Sequence, residues 1–151
     1  MVYYTKNTSE TEEVGRALGA EFIRRGVRRG FIAMRGEMGV GKTAFVRGFA
    51  GAFGILRVKS PTYTIVNEYT GDRVVHIYHF DMYRITDGDD LYSTGYDDYI
   101  SRDGYCIAEW SENVTEYLPR ERVTVTISRT DDESGRKIEI TGGISDVHTG
   151  V

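Results

Sequence analysis

Residues 36–43 read Gly36-Glu37-Met38-Gly39-Val40-Gly41-Lys42-Thr43, the pattern G-x-x-x-x-G-K-T. Before it, separated only by Arg35, stands the apolar run Phe31-Ile32-Ala33-Met34, too short for a helix and suited to a buried strand. After it, Phe45, Val46, Phe49 and Ala50 recur at helical spacing over residues 44–53. Strand, glycine-rich loop and helix in that order are the setting in which this pattern forms a phosphate-binding loop. Glycines let the backbone wrap closely and turn its N–H groups inward as an anion nest. The following helix presents its positive end to the phosphates. Lys42 is placed for the β and γ phosphates of ATP, and the Thr43 hydroxyl for magnesium. An accidental glycine turn is the alternative, and the flanking strand and helix argue against it. Glu37, Met38, Gly39, Val40, Gly41, Lys42 and Thr43 are therefore the candidate nucleotide-binding set.

The rest of the chain alternates strands and helices. A short strand is expected at Tyr3-Tyr4-Thr5 and a helix over residues 10–25, with Val14, Leu18 and Phe22 on its buried face. Ser9 and Glu12 have capping-box spacing at its start. Strands are expected over 65–69 and 74–80, followed by two short helical pieces near 87–92 and 95–100. Tyr105-Cys106-Ile107-Ala108 reads as another buried strand, ending at Glu109. Val123, Val125 and Ile127 alternate, and 137–141 returns as the second arm of a hairpin. The final ten residues are expected to fray. The reading is one domain spanning 1–151 with an α/β phosphate-loop NTPase fold. Its sheet is short and mainly parallel, flanked by helices, with antiparallel strands at the C-terminal end.

A phosphate loop needs acidic partners for magnesium and the attacking water, at the carboxyl ends of neighbouring parallel strands. Asp81, which ends His76-Ile77-Tyr78-His79-Phe80, and Glu109 both have that form. The sequence does not choose which of the two binds the metal. Trp110, the only tryptophan, suits packing on the nucleotide site, the core or a partner surface. Thr62 and Thr64 lie in a loop where either nucleotide sensing or ordinary capping would place them. His76 and His79 fall on opposite faces of one strand, which argues against a shared metal and for core or edge roles. The arginines at 24, 25, 28 and 29 read as a solvated helix end rather than an RNA patch.

Composition narrows the classes further. The chain has 151 residues, 19 basic against 23 acidic, a formal net charge of −4 and a single cysteine, Cys106. An internal disulfide and a multi-cysteine zinc site are excluded. A surface devoted to nucleic acid is disfavoured. No apolar run approaches the roughly 20 residues of a membrane helix, and none resembles a signal peptide, so a cytoplasmic location is expected.

Four blocks then occur in order: the loop at 36–43, Ser60-Pro61-Thr62-Tyr63-Thr64, Tyr78-His79-Phe80-Asp81-Met82-Tyr83-Arg84, and Ala108-Glu109-Trp110. Together they make residues 9–128 resemble the TsaE family, small bacterial ATPases of tRNA threonylcarbamoyladenosine synthesis. The resemblance implies slow, magnesium-dependent ATP hydrolysis serving the t⁶A modification at position 37 of tRNAs that read ANN codons. It implies TsaD and TsaB as partners, with tRNA reached through their complex. By motif position Lys42 would bind phosphate, Thr43 and Glu109 would hold magnesium, and Asp81 would support the metal or position water. Trp110 would sit beside the site and Thr11 near the nucleotide base. The family loop usually reads G-D-L-G-A-G-K-T-T. Here Glu37, Met38, Val40 and Ala44 differ, and none of the changes removes a phosphate ligand. A small-molecule or nucleoside kinase uses the same loop and is the competing class. It usually closes an arginine-bearing lid over its acceptor, whereas residues 82–104 hold only Arg84 and Arg102 and are strongly acidic. A nucleotide-dependent switch with negligible turnover and a direct tRNA-binding protein are further alternatives.

Overall fold

The computed structural model describes residues 1–143 apart from Met38, 59–65, 73–74, Arg84, Glu133 and the side chain of Asn113. Met38, the threonines at 62 and 64, and all but two of the last ten residues therefore lie outside the described residues. The strands are β1 (Val2–Thr5), β2 (Arg29–Arg35), β3 (Val66–Thr70), β4 (His76–Asp81), β5 (Gly104–Glu109), β6 (Val123–Arg129) and β7 (Arg136–Gly142). The helices are α1 (Thr8–Arg24), α2 (Lys42–Gly51), α3 (Gly88–Ser93) and α4 (Tyr96–Ser101). A kinked 3-10 helix, Ser111–Tyr117, follows β5.

The strands form one sheet in the order β1-β7-β6-β2-β5-β4-β3. Its centre is parallel: β2 pairs with β5 and β6, and β4 pairs with β5. The flanks are antiparallel, with β3 against β4 on one side and β7 and β1 beyond β6 on the other. The expected α/β fold is thus present, with helices on both faces. The antiparallel part is wider than the C-terminal hairpin alone.

Strand alternation sorts the core. Ile32 and Met34 of β2, Ile77 of β4, and Tyr105 and Ile107 of β5 pack with Phe22, Phe45 and Phe49 under α1 and α2. Phe31, Ala33, Tyr78, Phe80, Cys106 and Ala108 point the other way, onto Leu91, Tyr96 and the 3-10 helix. His76 stacks on Tyr78, and His79 lies on the α1/α2 side, so the two histidines do occupy opposite faces.

Helix α1 departs from expectation at its start and along its face. Its N-cap is Asn7, whose side chain accepts from the Glu10 N–H at 2.9 Å, and Glu10 reaches back to accept from the Lys6 N–H at 2.8 Å. The start is thus capped by Asn7, with Glu10 reaching one residue beyond the cap, rather than by Ser9 and Glu12, and the helix begins two residues earlier. Its fully buried residues are Thr11, Gly15, Gly19 and Phe22, with Val14 and Leu18 only partly buried. The reason is backbone-to-backbone packing on α2. A Cβ at Gly15 would stand 2.1 Å from the Phe45 carbonyl oxygen, and one at Gly48 would stand 1.9 Å from that of Glu12. The glycines allow α1 to lie this close to the helix that carries Lys42 and Thr43. Gly48→Ala forces the two apart and is expected to destabilise the protein by about 1–3 kcal/mol in urea unfolding. A midpoint equal to wild type would contradict the contact.

Candidate functional site

The chain leaves β2 at Arg35 and re-enters regular structure at Lys42 of α2, so the loop crosses the carboxyl edge of the parallel strands. Two glycines make that path possible. Gly36 has φ 147°, and a Cβ there would stand 2.5 Å from the Ile127 carbonyl oxygen of β6. Gly41 caps α2 with φ 110°, a backbone conformation that favours glycine. The far side of the loop is tied to the C-terminal hairpin. The Val40 carbonyl accepts from Arg136 Nε at 2.9 Å, and Glu37 pairs with Arg129 at 3.0 Å. Arg129 and Arg136 are cross-strand partners in the β6–β7 register. The Glu37 pair is solvent-exposed and adds little stability by itself.

Lys42 is 5% exposed. Its Nζ donates to the Gly36 carbonyl at 2.6 Å and stands 3.9 Å from the centre of the Trp110 ring. Burial holds the ammonium below the ordinary lysine range, and the carboxylates of Glu109, Glu112 and Asp81 partly offset that loss. A desolvated cation–π contact of this kind contributes ~2 kcal/mol. Trp110 reaches the lysine through backbone strain: at φ 59° it is the one non-glycine residue with positive φ among those described. That turn carries the chain out of β5 into the 3-10 helix and lays the indole between Lys42 and Tyr83, whose ring is 5.0 Å away.

Asp81 and Glu109 stand directly opposite each other as the last residues of β4 and β5. They continue the rows Ile77–His79 and Tyr105–Ile107 on the α1/α2 face. Glu109 is 7% exposed and its Oε2 lies 2.5 Å from His79 Nε2. Asp81 is half-buried, and its Oδ1 accepts from the Tyr83 N–H at 2.9 Å. The Met82 N–H donates to the Glu109 carbonyl at 2.9 Å, tying the two strand ends together.

The loop is flanked by two cavities that share Val40. One, of about 130 Å³, is lined by Asn7, Thr8, Thr11, Gly39, Gly41 and Arg136. Thr11 is buried there, its hydroxyl 2.8 Å from that of Thr5. The other, of about 640 Å³, is lined by Gly36, Glu37, Trp110, Glu112 and Arg129. Lys42, Asp81, Glu109 and Trp110 form one cluster through the contacts above, while Thr11 with Gly39 and Gly41 lines the smaller cavity. Thr43 is half-buried in the first turn of α2.

Sequence reasoning passed over Glu112, Arg129 and Arg136, and took His79 only for a core or edge histidine. His79 was legible: it lies two residues before Asp81 and so on the same face of its strand. Glu112 was hidden because no periodicity announces a 3-10 turn. One of its carboxylate oxygens is buried with no hydrogen-bond partner among the described residues. The arginines depend on a hairpin register that only the fold supplies.

Comparison with known proteins adds a family. Residues 5–138 match the model of the threonylcarbamoyl adenosine biosynthesis protein TsaE. The tRNA threonylcarbamoyladenosine biosynthesis protein TsaE of Bacillus subtilis is 40% identical over 139 residues, 91% of this chain and 82% of the relative. That of Haemophilus influenzae is 41% identical over 110 residues, 72% and 68% of the two chains. The crystal structure of Bacillus subtilis YdiB superposes with a TM-score of 0.76 at 33% identity, covering 98% of this chain and 88% of that one.

The lysine–indole contact has a direct optical consequence. Because Trp110 is the only tryptophan, Lys42→Met is expected to change the emission spectrum of the nucleotide-free protein. Superimposable spectra for the variant and the wild type would contradict the stacking.

Proposed function

This chain belongs to the TsaE family of threonylcarbamoyl adenosine biosynthesis proteins, and from that premise we propose that it is a magnesium-dependent ATPase whose turnover serves a TsaD–TsaB complex. TsaE proteins take part in tRNA threonylcarbamoyladenosine biosynthesis. The observation that carries the finer reading is the in-register pair Asp81–Glu109 beside the buried ammonium of Lys42. A structural lysine recovers from two strand-end carboxylates only part of what its burial costs. A phosphate site gains from both, because the triphosphate brings negative charge and magnesium brings positive charge to the same place.

The residues suit that occupant. Positive-φ glycines at 36, 39 and 41 give the loop the form of a backbone anion nest, and α2 begins at its end. Lys42 is desolvated, which strengthens its attraction for a phosphate oxygen relative to an exposed lysine. Thr43 supplies a hydroxyl, and Asp81 or Glu109 a carboxylate, of the hard oxygen type that magnesium takes alongside substrate phosphates. When bound, the metal neutralises charge on the β- and γ-phosphates.

The protein's own part in hydrolysis is positioning and charge. Lys42 exchanges its bond to the Gly36 carbonyl for phosphate oxygens and stabilises the charge that develops as the terminal phosphorus–oxygen bond breaks. The indole of Trp110 keeps water from the ammonium and limits its swing. One carboxylate would hold the metal; the other would orient the attacking water, whose oxygen joins the phosphoryl group as the bond to ADP breaks and whose proton passes to the released phosphate. The Tyr83 N–H fixes the rotamer of Asp81 for this role.

Phosphate release from ATP by the purified protein, with and without TsaD–TsaB and with candidate phosphoryl acceptors, tests the reading. ATP is expected to yield ADP and free phosphate, faster with the complex, and no phosphorylated acceptor. Lys42→Ala should abolish turnover. Asp81→Asn and Glu109→Gln should each slow it about a hundredfold. The variant that removes the direct metal ligand should also raise the magnesium requirement. Wild-type rates in both amide variants would place the acidic machinery elsewhere, and a phosphorylated acceptor would favour a kinase.

A further inference from the structure

We propose that His79 is a positioning residue for Glu109, holding one carboxylate oxygen so that the other faces the magnesium site. The proposal rests on the magnesium-dependent reading above. Its own ground is independent: His79 is fully buried, and its Nε2 lies 2.5 Å from Glu109 Oε2. His79 stands opposite Ile107 in the β4–β5 register, two positions before Asp81–Glu109 and on the same face, and so reaches Glu109 diagonally.

The surroundings make this histidine costly as a packing residue. The same rows hold Ile77, Tyr105 and Ile107, all in the apolar core under α1 and α2. Its other ring nitrogen, Nδ1, is buried without a hydrogen-bond partner among the described residues. An apolar side chain would fill the space without leaving a polar atom unpaired. The contact with Glu109 is what the imidazole provides and an apolar residue cannot. With Glu109 ionised, Nε2–H donates to Oε2, and the unpartnered Nδ1 carries the lone pair, because an unpaired buried N–H would be worse. One oxygen is thereby occupied and the carboxylate plane is set by a β-strand rather than by solvent. Partners that orient a metal-binding group in this way commonly change metal affinity tenfold or more when removed.

The test separates this role from general packing. Affinity for a non-hydrolysable ATP analogue is measured by calorimetry with magnesium and with chelator. The ratio of the two is the readout. His79→Met is expected to lower that ratio about tenfold while leaving the chelator value unchanged. His79→Gln, whose amide N–H2 reaches about as far as Nε2, is expected to keep most of it, and His79→Asn, one bond shorter, to lose it. The Gln–Asn comparison decides the matter even if the Met variant does not fold. In a Glu109→Gln background, His79→Met should add no further loss. Equal ratios for Gln and Asn, a matching fall in chelator affinity, or additive losses in the double variant would overturn the positioning role. A wild-type protein whose affinity ignores magnesium would overturn the underlying ATPase reading, and this role with it.

Discussion

The Lys42 ammonium is buried with a carbonyl oxygen, an indole face and neighbouring carboxylates to compensate for the water it has lost. Much of the local architecture serves that compensation. Gly36 turns so that its carbonyl meets the lysine, and it can do so only because nothing larger than hydrogen fits against Ile127. Trp110 adopts a backbone conformation unusual for its type so that its ring lies under the same charge. Strain and desolvation concentrated at one point are typical of a site prepared for a ligand rather than for stability.

The sheet sets the register in which those groups meet. With β2, β5 and β4 parallel and adjacent, their carboxyl ends lie along one edge. Alternation then decides that Glu109 and Asp81 face the same side as α2, and that Phe80 and Ala108 face the opposite core. A one-residue slip of β4 against β5 would send Asp81 to the other face and dissolve the pair. The close α1–α2 contact through Gly15 and Gly48 fixes the helix that carries Lys42 against this edge. The hairpin arginines Arg129 and Arg136 hold the loop from its other side.

Much of this is legible in the sequence itself. The loop, its strand and its helix announce themselves in one run of residues, and Asp81 and Glu109 mark strand ends by following apolar runs. What the sequence hid depends on close approach and on register. Glycines at 15, 19 and 48 look like weak helix positions, yet they form the α1–α2 contact, because absence of a side chain carries no hydrophobic signal. The cap moved from Ser9 to Asn7 because both satisfy the same residue preference and only the chain's exit from β1 selects between them. His79 reads as a core or edge histidine and lies in the core; its contact with Glu109 depends on the parallel pairing of β4 with β5. Glu112 comes two residues after a left-handed tryptophan that no propensity scale anticipates.

A structure with magnesium and a non-hydrolysable ATP analogue bound would test the central claim most directly. The phosphates are expected on the backbone amides of residues 36–43, with Lys42 Nζ withdrawn from the Gly36 carbonyl and placed on phosphate oxygens. The metal is expected between Thr43, the phosphates and one of the paired carboxylates. Nucleotide bound away from this loop, or a Lys42 still held by Gly36 with the analogue in place, would contradict the account.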